Sequence, residues 1–251
     1  MARPKQSDSN EPKILLVEGD NDARVIATLC KQSKLPKGFE IKIPESFKKN
    51  SIEASFEDLE SAPKTRGVEI LLEELESMPK TPDLKTLGVV VDADIDVSAR
   101  WQSVKGRLTK VGYTNLPEDI PREGLIHEYI ASSSDKFLAP RIGVWIMPDN
   151  QGMGMLEDFA KQMIPEDDYL LPKAEQILTE IEQDGLNKYT SAHRPKALIH
   201  TWLAWQRKPG MPMGQSITAG VLMHDSAIAA SFVQWLIQLF ELTVSEAIVQ
   251  E

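Results

Sequence analysis

Two short apolar runs in this chain stop abruptly at carboxylates. Lys13-Ile-Leu-Leu-Val-Glu-Gly-Asp-Asn-Asp22 runs into Glu18 and Asp22, and Leu87-Gly-Val-Val-Val-Asp-Ala-Asp94 runs into Asp92 and Asp94. Carboxylates crowded together repel unless a cation neutralises them, and hard oxygen ligands suit Mg²⁺ or Mn²⁺. The chemistry expected of Glu18, Asp22, Asp92 and Asp94 is therefore that of a divalent-metal site. Asp96 lies two residues beyond Asp94 and can serve as a substitute or outer-shell ligand. Asp149 follows the apolar run Arg141–Met147 and adds a further candidate ligand. Asp22 has a second reading, as a favourable negative charge at the start of a helix.

These residues converge only if the elements before them share one sheet edge. Aliphatic runs without polar alternation read as strands buried on both faces, as in a parallel sheet flanked by helices, and open α/β folds build their sites where such strands end. Strands are expected at 13–17, 87–91 and 141–147, with 38–43 an alternating strand nearer an edge and 124–127 a further short one. Between them, Asp20 or Asn21 can cap a helix through Arg24 to Cys30. Val68, Leu71, Leu72 and Leu75 mark a helix over 65–78, and Ser98 can cap a helix that buries Trp101, Val104 and Leu108. Residues 48–64 read as a polar loop.

From Gly152 the pattern turns helical. Met155, Phe159 and Met163 share a face, with Glu157 and Asp158 as first-turn charges. Helices follow at 174–181, 196–206 and 226–242, and Met211-Pro-Met-Gly214 reads as a loop. The last helix carries Phe232, Trp235, Leu236, Leu239 and Phe240, so it must be buried against the core or against another chain. The expected division is a tail at 1–11, an α/β core at 12–150 and a helical extension at 151–251 packed on that core.

At 251 residues and 41% hydrophobic content the chain can build a normal core. Cys30 is the only cysteine, which excludes an intrachain disulfide and a thiolate zinc cluster. No apolar run is long enough to span a bilayer and residues 1–11 form no secretory signal, so no membrane association and a cytoplasmic location are expected. The net charge of −10 disfavours unassisted, non-specific nucleic-acid binding. Basic residues cluster locally all the same, as Arg100, Lys105, Arg107 and Lys110, as His193, Arg194 and Lys196, and as Arg207 and Lys208. Each group reads as a solvated face or as a phosphate-binding patch.

Glu18-Gly19 with Asp22, followed by Asp92-Ala93-Asp94, resembles the TOPRIM domain shared by topoisomerases, primases, ribosomal-RNA maturases and the OLD-family nucleases. Residues 143–158 and 196–204 are similar to a bacterial group of TOPRIM-like proteins. The resemblance implies a TOPRIM-like α/β fold and metal-dependent cleavage of nucleic-acid phosphodiesters. In that scheme Glu18, Asp92 and Asp94 hold Mg²⁺ (or Mn²⁺), with Glu18 either ligand or base, and Lys196 or Arg194 stabilises developing negative charge. DNA, RNA and tRNA all stay open as substrates. No tyrosine sits in a topoisomerase-like motif, which favours hydrolysis over religation. The OLD-family nucleases carry an ATPase domain and this sequence has no Walker P-loop, so a separate ATPase partner, as in phage-defence systems, is implied; a homo-oligomer is a further expectation. A non-catalytic TOPRIM-like binding or regulatory module is the alternative. A receiver-like signalling domain is the remote one, because Val144 stands where the phosphorylated aspartate would be and Gly19 breaks the acidic pair.

Overall fold

A computed structural model describes residues 12–44, 66–130 and 139–243. The expected tail at 1–11 and the loop at 48–64 fall outside these residues. The fold is α/β, with a mostly parallel five-stranded sheet between two helical layers. Strands β1 (Lys13–Leu16), β2 (Glu40–Lys42), β3 (Thr86–Asp92), β4 (Leu125–His127) and β5 (Arg141–Met147) lie in the order β2-β1-β3-β5-β4. All neighbours are parallel except β4, which runs antiparallel on β5. The register aligns Leu16 with Val89 and Asp92 with Met147, so β1, β3 and β5 present their carboxyl ends on one edge.

Alternation along the strands divides the apolar core in two. Ile14, Leu16, Leu87, Val89, Val91, Ile142, Val144 and Ile146 face helices α2 (Arg66–Ser77) and α3 (Val97–Val111), whose Leu71, Leu72, Leu75, Trp101, Val104 and Leu108 complete that layer. Arg107 ties the two helices together through Glu69 and Glu76, at 3.3 and 2.7 Å. Leu15, Val17, Val90, Trp145 and Met147 face the opposite way, onto α1 (Asp20–Gln32) and onto the helices that follow β5.

Those later helices are α4 (Leu156–Lys161), α5 (Leu170–Gln183), α6 (Arg194–Ala204), α7 (Met213–Thr218) and α8 (Ala227–Phe240). Their Phe159, Leu178, Trp202, Ile217, Phe232 and Trp235 belong to the same continuous core as Leu15 and Val90. The change near residue 150 is thus one of secondary-structure type, while the second sheet face is closed by helices on both sides of it. None of the helices among the described residues is long and apolar enough to cross a membrane.

Helix α8 is buried within the chain, with Phe232, Leu236, Leu239 and Phe240 fully inaccessible. Glycine in a strand interior weakens it unless something must come close, and here something does. Gly88 and Gly143 are register partners on β3 and β5 and open a trough in the sheet face. Leu239 fills it: a Cβ on Gly88 would lie 2.9 Å from Leu239 Cδ2, and one on Gly143 would collide with the same side chain. The end of α8 is tied to the first strand, where Lys13 Nζ donates to the Phe240 carbonyl at 2.6 Å.

Several local boundaries differ from expectation. Gly19, not Asp20 or Asn21, caps α1, and no side chain caps it. Asp96 caps α3 in place of Ser98, its carboxylate accepting from the Ala99 N–H at 3.0 Å. α4 starts at Leu156 rather than near Gly152, and the expected loop at 211–214 already contains the first two residues of α7.

The trough generates a packing test. Gly143→Ala should destabilise the fold by about 1–3 kcal/mol through overpacking, and Leu239→Ala by about 2–5 kcal/mol through the cavity it leaves. In urea unfolding the double variant should cost clearly less than the sum of the two. Simple additivity would mean that Leu239 does not occupy the trough.

Candidate functional site

Glu18 sits two residues beyond β1, and Asp92 is the last residue of β3. Parallel pairing sets them side by side, and Glu18 Oε1 accepts from the Asp92 backbone N–H at 2.8 Å. The Asp92 carboxylate turns toward α4, where its Oδ1 accepts from the Leu156 N–H at 3.1 Å. Asp94 takes a left-handed backbone, φ 55°, and exchanges both backbone hydrogen bonds with Gly154 at 2.9 and 2.8 Å. Gly154 itself has φ 137° and lies against Asp158, which accepts from the Met155 N–H at 3.0 Å. The segment 92–94 is therefore pinned between the end of β1 and the loop leading into α4.

The electrostatics show which side chains share this space. Burial pushes Glu18 up to about 7, helped by Asp22 and Asp94 and opposed by the Asp92 hydrogen bond and by Arg100. Burial likewise raises Asp22 to about 6, with Glu157 adding to the rise and Lys196 opposing it. Asp92 is raised well above the carboxylate range by burial and then by Glu18, Asp22, Glu157 and Asp94. Glu157, only 4% exposed, is raised by burial, while Lys196 and His200 act against the rise. Glu18, Asp22, Asp92, Asp94 and Glu157 thus form one carboxylate cluster, flanked by Arg100, Lys196 and His200.

Two of the expected ligands have carboxylate oxygens engaged in local turns. Asp96 spends its carboxylate on the α3 cap. Asp149 Oδ1 accepts from the Gln151 and Gly152 N–H groups at 3.0 and 2.8 Å, and the residue lines a separate cavity of about 410 Å³ beside Trp145 and Trp235. Arg194, the other candidate for charge stabilisation, is paired with Glu182 at 3.0 Å on α5. Glu157 and His200 were not legible as site residues, and Arg100 was legible only as part of a basic group with a phosphate-binding alternative. A first-turn glutamate reads as solvent-facing, and the available signal was its position between Leu156 and Phe159, both of which had to be buried.

The cluster is not a ready-made ligand set. Among the described residues no three His, Cys, Asp or Glu side chains are disposed to hold a metal ion. Glu18 and Asp92 each give an oxygen to a backbone N–H, and Asp94 Oδ2 is held by Arg100 Nη2 at 2.6 Å. The carboxylates expected to share one point are neighbours whose oxygens are turned to protein donors.

Fold and site together define a mostly parallel α/β protein with a buried carboxylate cluster at the carboxyl ends of its central strands. Over residues 12–241 the chain matches the family described as "Protein of unknown function (DUF3226)", and it belongs to that family. No curated protein matches it, and no solved structure does.

Raised carboxyls make stability depend on pH with a definite sign. Glu18 and Asp22 keep protons in the folded state that the unfolded chain loses near 4.5 and 3.8. Their contribution is complete below those values and is lost as pH rises through about 6 and 7. Glu76, lowered by hydrogen bonds from Arg107 and Lys110, acts in the opposite sense and below this window. In metal-free buffer the thermal midpoint should be roughly 3–8 °C higher at about pH 5.5 than at about pH 8. Glu18→Gln should flatten that dependence. A midpoint that climbs toward pH 8 would contradict the crowded cluster.

Proposed function

We propose that this protein is a TOPRIM-like, Mg²⁺- or Mn²⁺-dependent phosphodiesterase acting on nucleic acid. The observation that carries the reading is the convergence of Glu18 and Asp92, from the ends of two adjacent parallel strands, into one largely desolvated cluster with Asp22 and Glu157, edged by the exposed Asp94. A structural role for one carboxylate needs no such company, and desolvated like charges cost stability unless a cation or a proton relieves them. The donor set is entirely carboxylate oxygen, the chemistry that hard divalent ions select. Glu18, Asp92 and Asp94 would hold the ion, after turning from their present protein donors. When bound, it would supply charge neutralisation and Lewis acidity toward a phosphodiester.

The chain's own residues supply the rest. Glu18 would serve either as one of these ligands or, where Asp92 and Asp94 alone hold the ion, as a base toward water; its value of about 7 belongs to the ion-free cluster. Lys196 is exposed beside Asp22 and Glu157, where its ammonium can meet a phosphate oxygen and offset charge developing on it. With net charge −10, productive binding of nucleic acid needs a local cation such as this or a partner protein. A separate ATPase in a phage-defence system, acting in the cytoplasm, is the partner this reading favours.

A second reading has its own support. The Arg100–Asp94 ion pair and the absence of a formed ligand set among the described residues favour a binding or regulatory module whose carboxylates are structural. Cleavage assays separate the two. In Mg²⁺ or Mn²⁺, wild type should cut DNA or RNA, while Glu18→Gln and Asp92→Asn should lose at least about 10²-fold in rate yet stay folded by circular dichroism. Lys196→Ala should retain metal binding and lose about 10–10²-fold. Cleavage undiminished in both carboxylate variants removes the nuclease mechanism, and no cleavage by wild type with any ATPase partner present supports the binding module.

A further inference from the structure

Building on the metal-site reading above, we propose that Arg100 is the internal counter-cation of the carboxylate site, a positioning residue that holds Asp94 until a divalent ion displaces it. Arg100 Nε donates to the Asp92 carbonyl at 2.7 Å and Nη2 donates to Asp94 Oδ2 at 2.6 Å. One guanidinium therefore grips both ends of the Asp-x-Asp segment. Its charge also reaches Glu18.

The grip is anchored on one side and loose on the other. Arg100 lies in the first turns of α3, whose start is fixed by the Asp96 cap, and its side chain is 13% exposed. The Asp94 side chain is 51% exposed. Its backbone is held by Gly154, so the carboxylate can swing on a fixed Cα while the guanidinium stays in place. A guanidinium is charged at every accessible pH and carries donors only. Asp94 is released by competition for its carboxylate oxygen. A divalent ion competes with twice the charge and binds that oxygen directly.

This exchange accounts for the lack of a formed ligand set among the described residues. With Arg100 in place, Asp94 is neutralised and unavailable, and an incoming ion meets a like charge beside Asp92. Arg100 thus lowers metal affinity while keeping the ion-free cluster from repelling itself apart.

The test is Mn²⁺ binding, read from the signal of free Mn²⁺ by electron paramagnetic resonance, on the full chain at constant pH and salt. Arg100→Gln keeps much of the side-chain volume and removes the charge, and it should bind Mn²⁺ tighter on the order of tenfold. Arg100→Lys keeps a charge but loses the two-pronged grip, and should gain a few-fold. Equal or weaker binding by Arg100→Gln overturns the counter-cation role while leaving the metal site standing. If Arg100→Gln does not fold, Arg100→Lys decides, with no gain counting against the proposal. Absence of Mn²⁺ binding in all folded forms, wild type included, removes the metal-site reading itself and this inference with it.

Discussion

Negative charge confined at the carboxyl ends of β1 and β3 is the constraint that the surrounding structure answers. Glu18, Asp22, Asp92 and Glu157 are drawn out of water close to one another, where each makes the next harder to ionise. The protein meets this with every device available. Backbone N–H groups of Asp92 and Leu156 point at carboxylate oxygens, Arg100 and Lys196 bring positive charge, and the raised affinities for protons let part of the charge disappear near neutrality. Each device also restrains position. The hydrogen bond from Asp92 to Glu18 fixes the two strand ends, and the bond from Leu156 to Asp92 fixes the start of α4 over them.

The cluster draws on both halves of the chain because the core does. Glu18, Asp22, Asp92 and Asp94 come from the strands and α1, while Glu157, Lys196 and His200 come from α4 and α6. α4 and α6 share one continuous apolar layer with α8, which fills the glycine trough in the same sheet face. Trp145 packs edge-on against Phe232, and Phe232 in turn meets Phe159 of α4, at ring separations of 5.2 and 5.6 Å. A continuous aromatic contact thus runs from the central sheet through α8 to the helix that carries Glu157.

Much of this was readable from residue order. β5 was expected at Arg141–Met147 and lies there, because a strand buried on both faces is an unbroken apolar run with sharp polar limits. Glu18 and Asp92 could be placed at one edge because parallel strands ending in acids leave them nowhere else to go. Other features had weaker local signals. Asp96 and Ser98 are both good caps, and only the tertiary position of the turn selects Asp96. α7 is too short for apolar periodicity to show. Asp149 ends a strand at the same edge, yet its carboxylate closes its own turn, a choice made by the Gln151 and Gly152 N–H groups rather than by residue type. Gly88 and Gly143 did carry a signal: glycine within an apolar strand marks a close approach, although what approaches, Leu239, lies far along the sequence from both.

The contact between Lys13 and the carbonyl of Phe240 separates its partners by 227 positions. It joins the first strand to the last helix, and the sheet face between them is unfinished until both are present. A topology whose first and last elements are neighbours must close a very long loop before those contacts contribute, which slows folding relative to chains of local contacts. The opening strand, with Glu18 just beyond it, has its full set of neighbours only with the helix Ala227–Phe240 docked, so the frame of the acidic pocket leans on a contact made from the far end of the described chain.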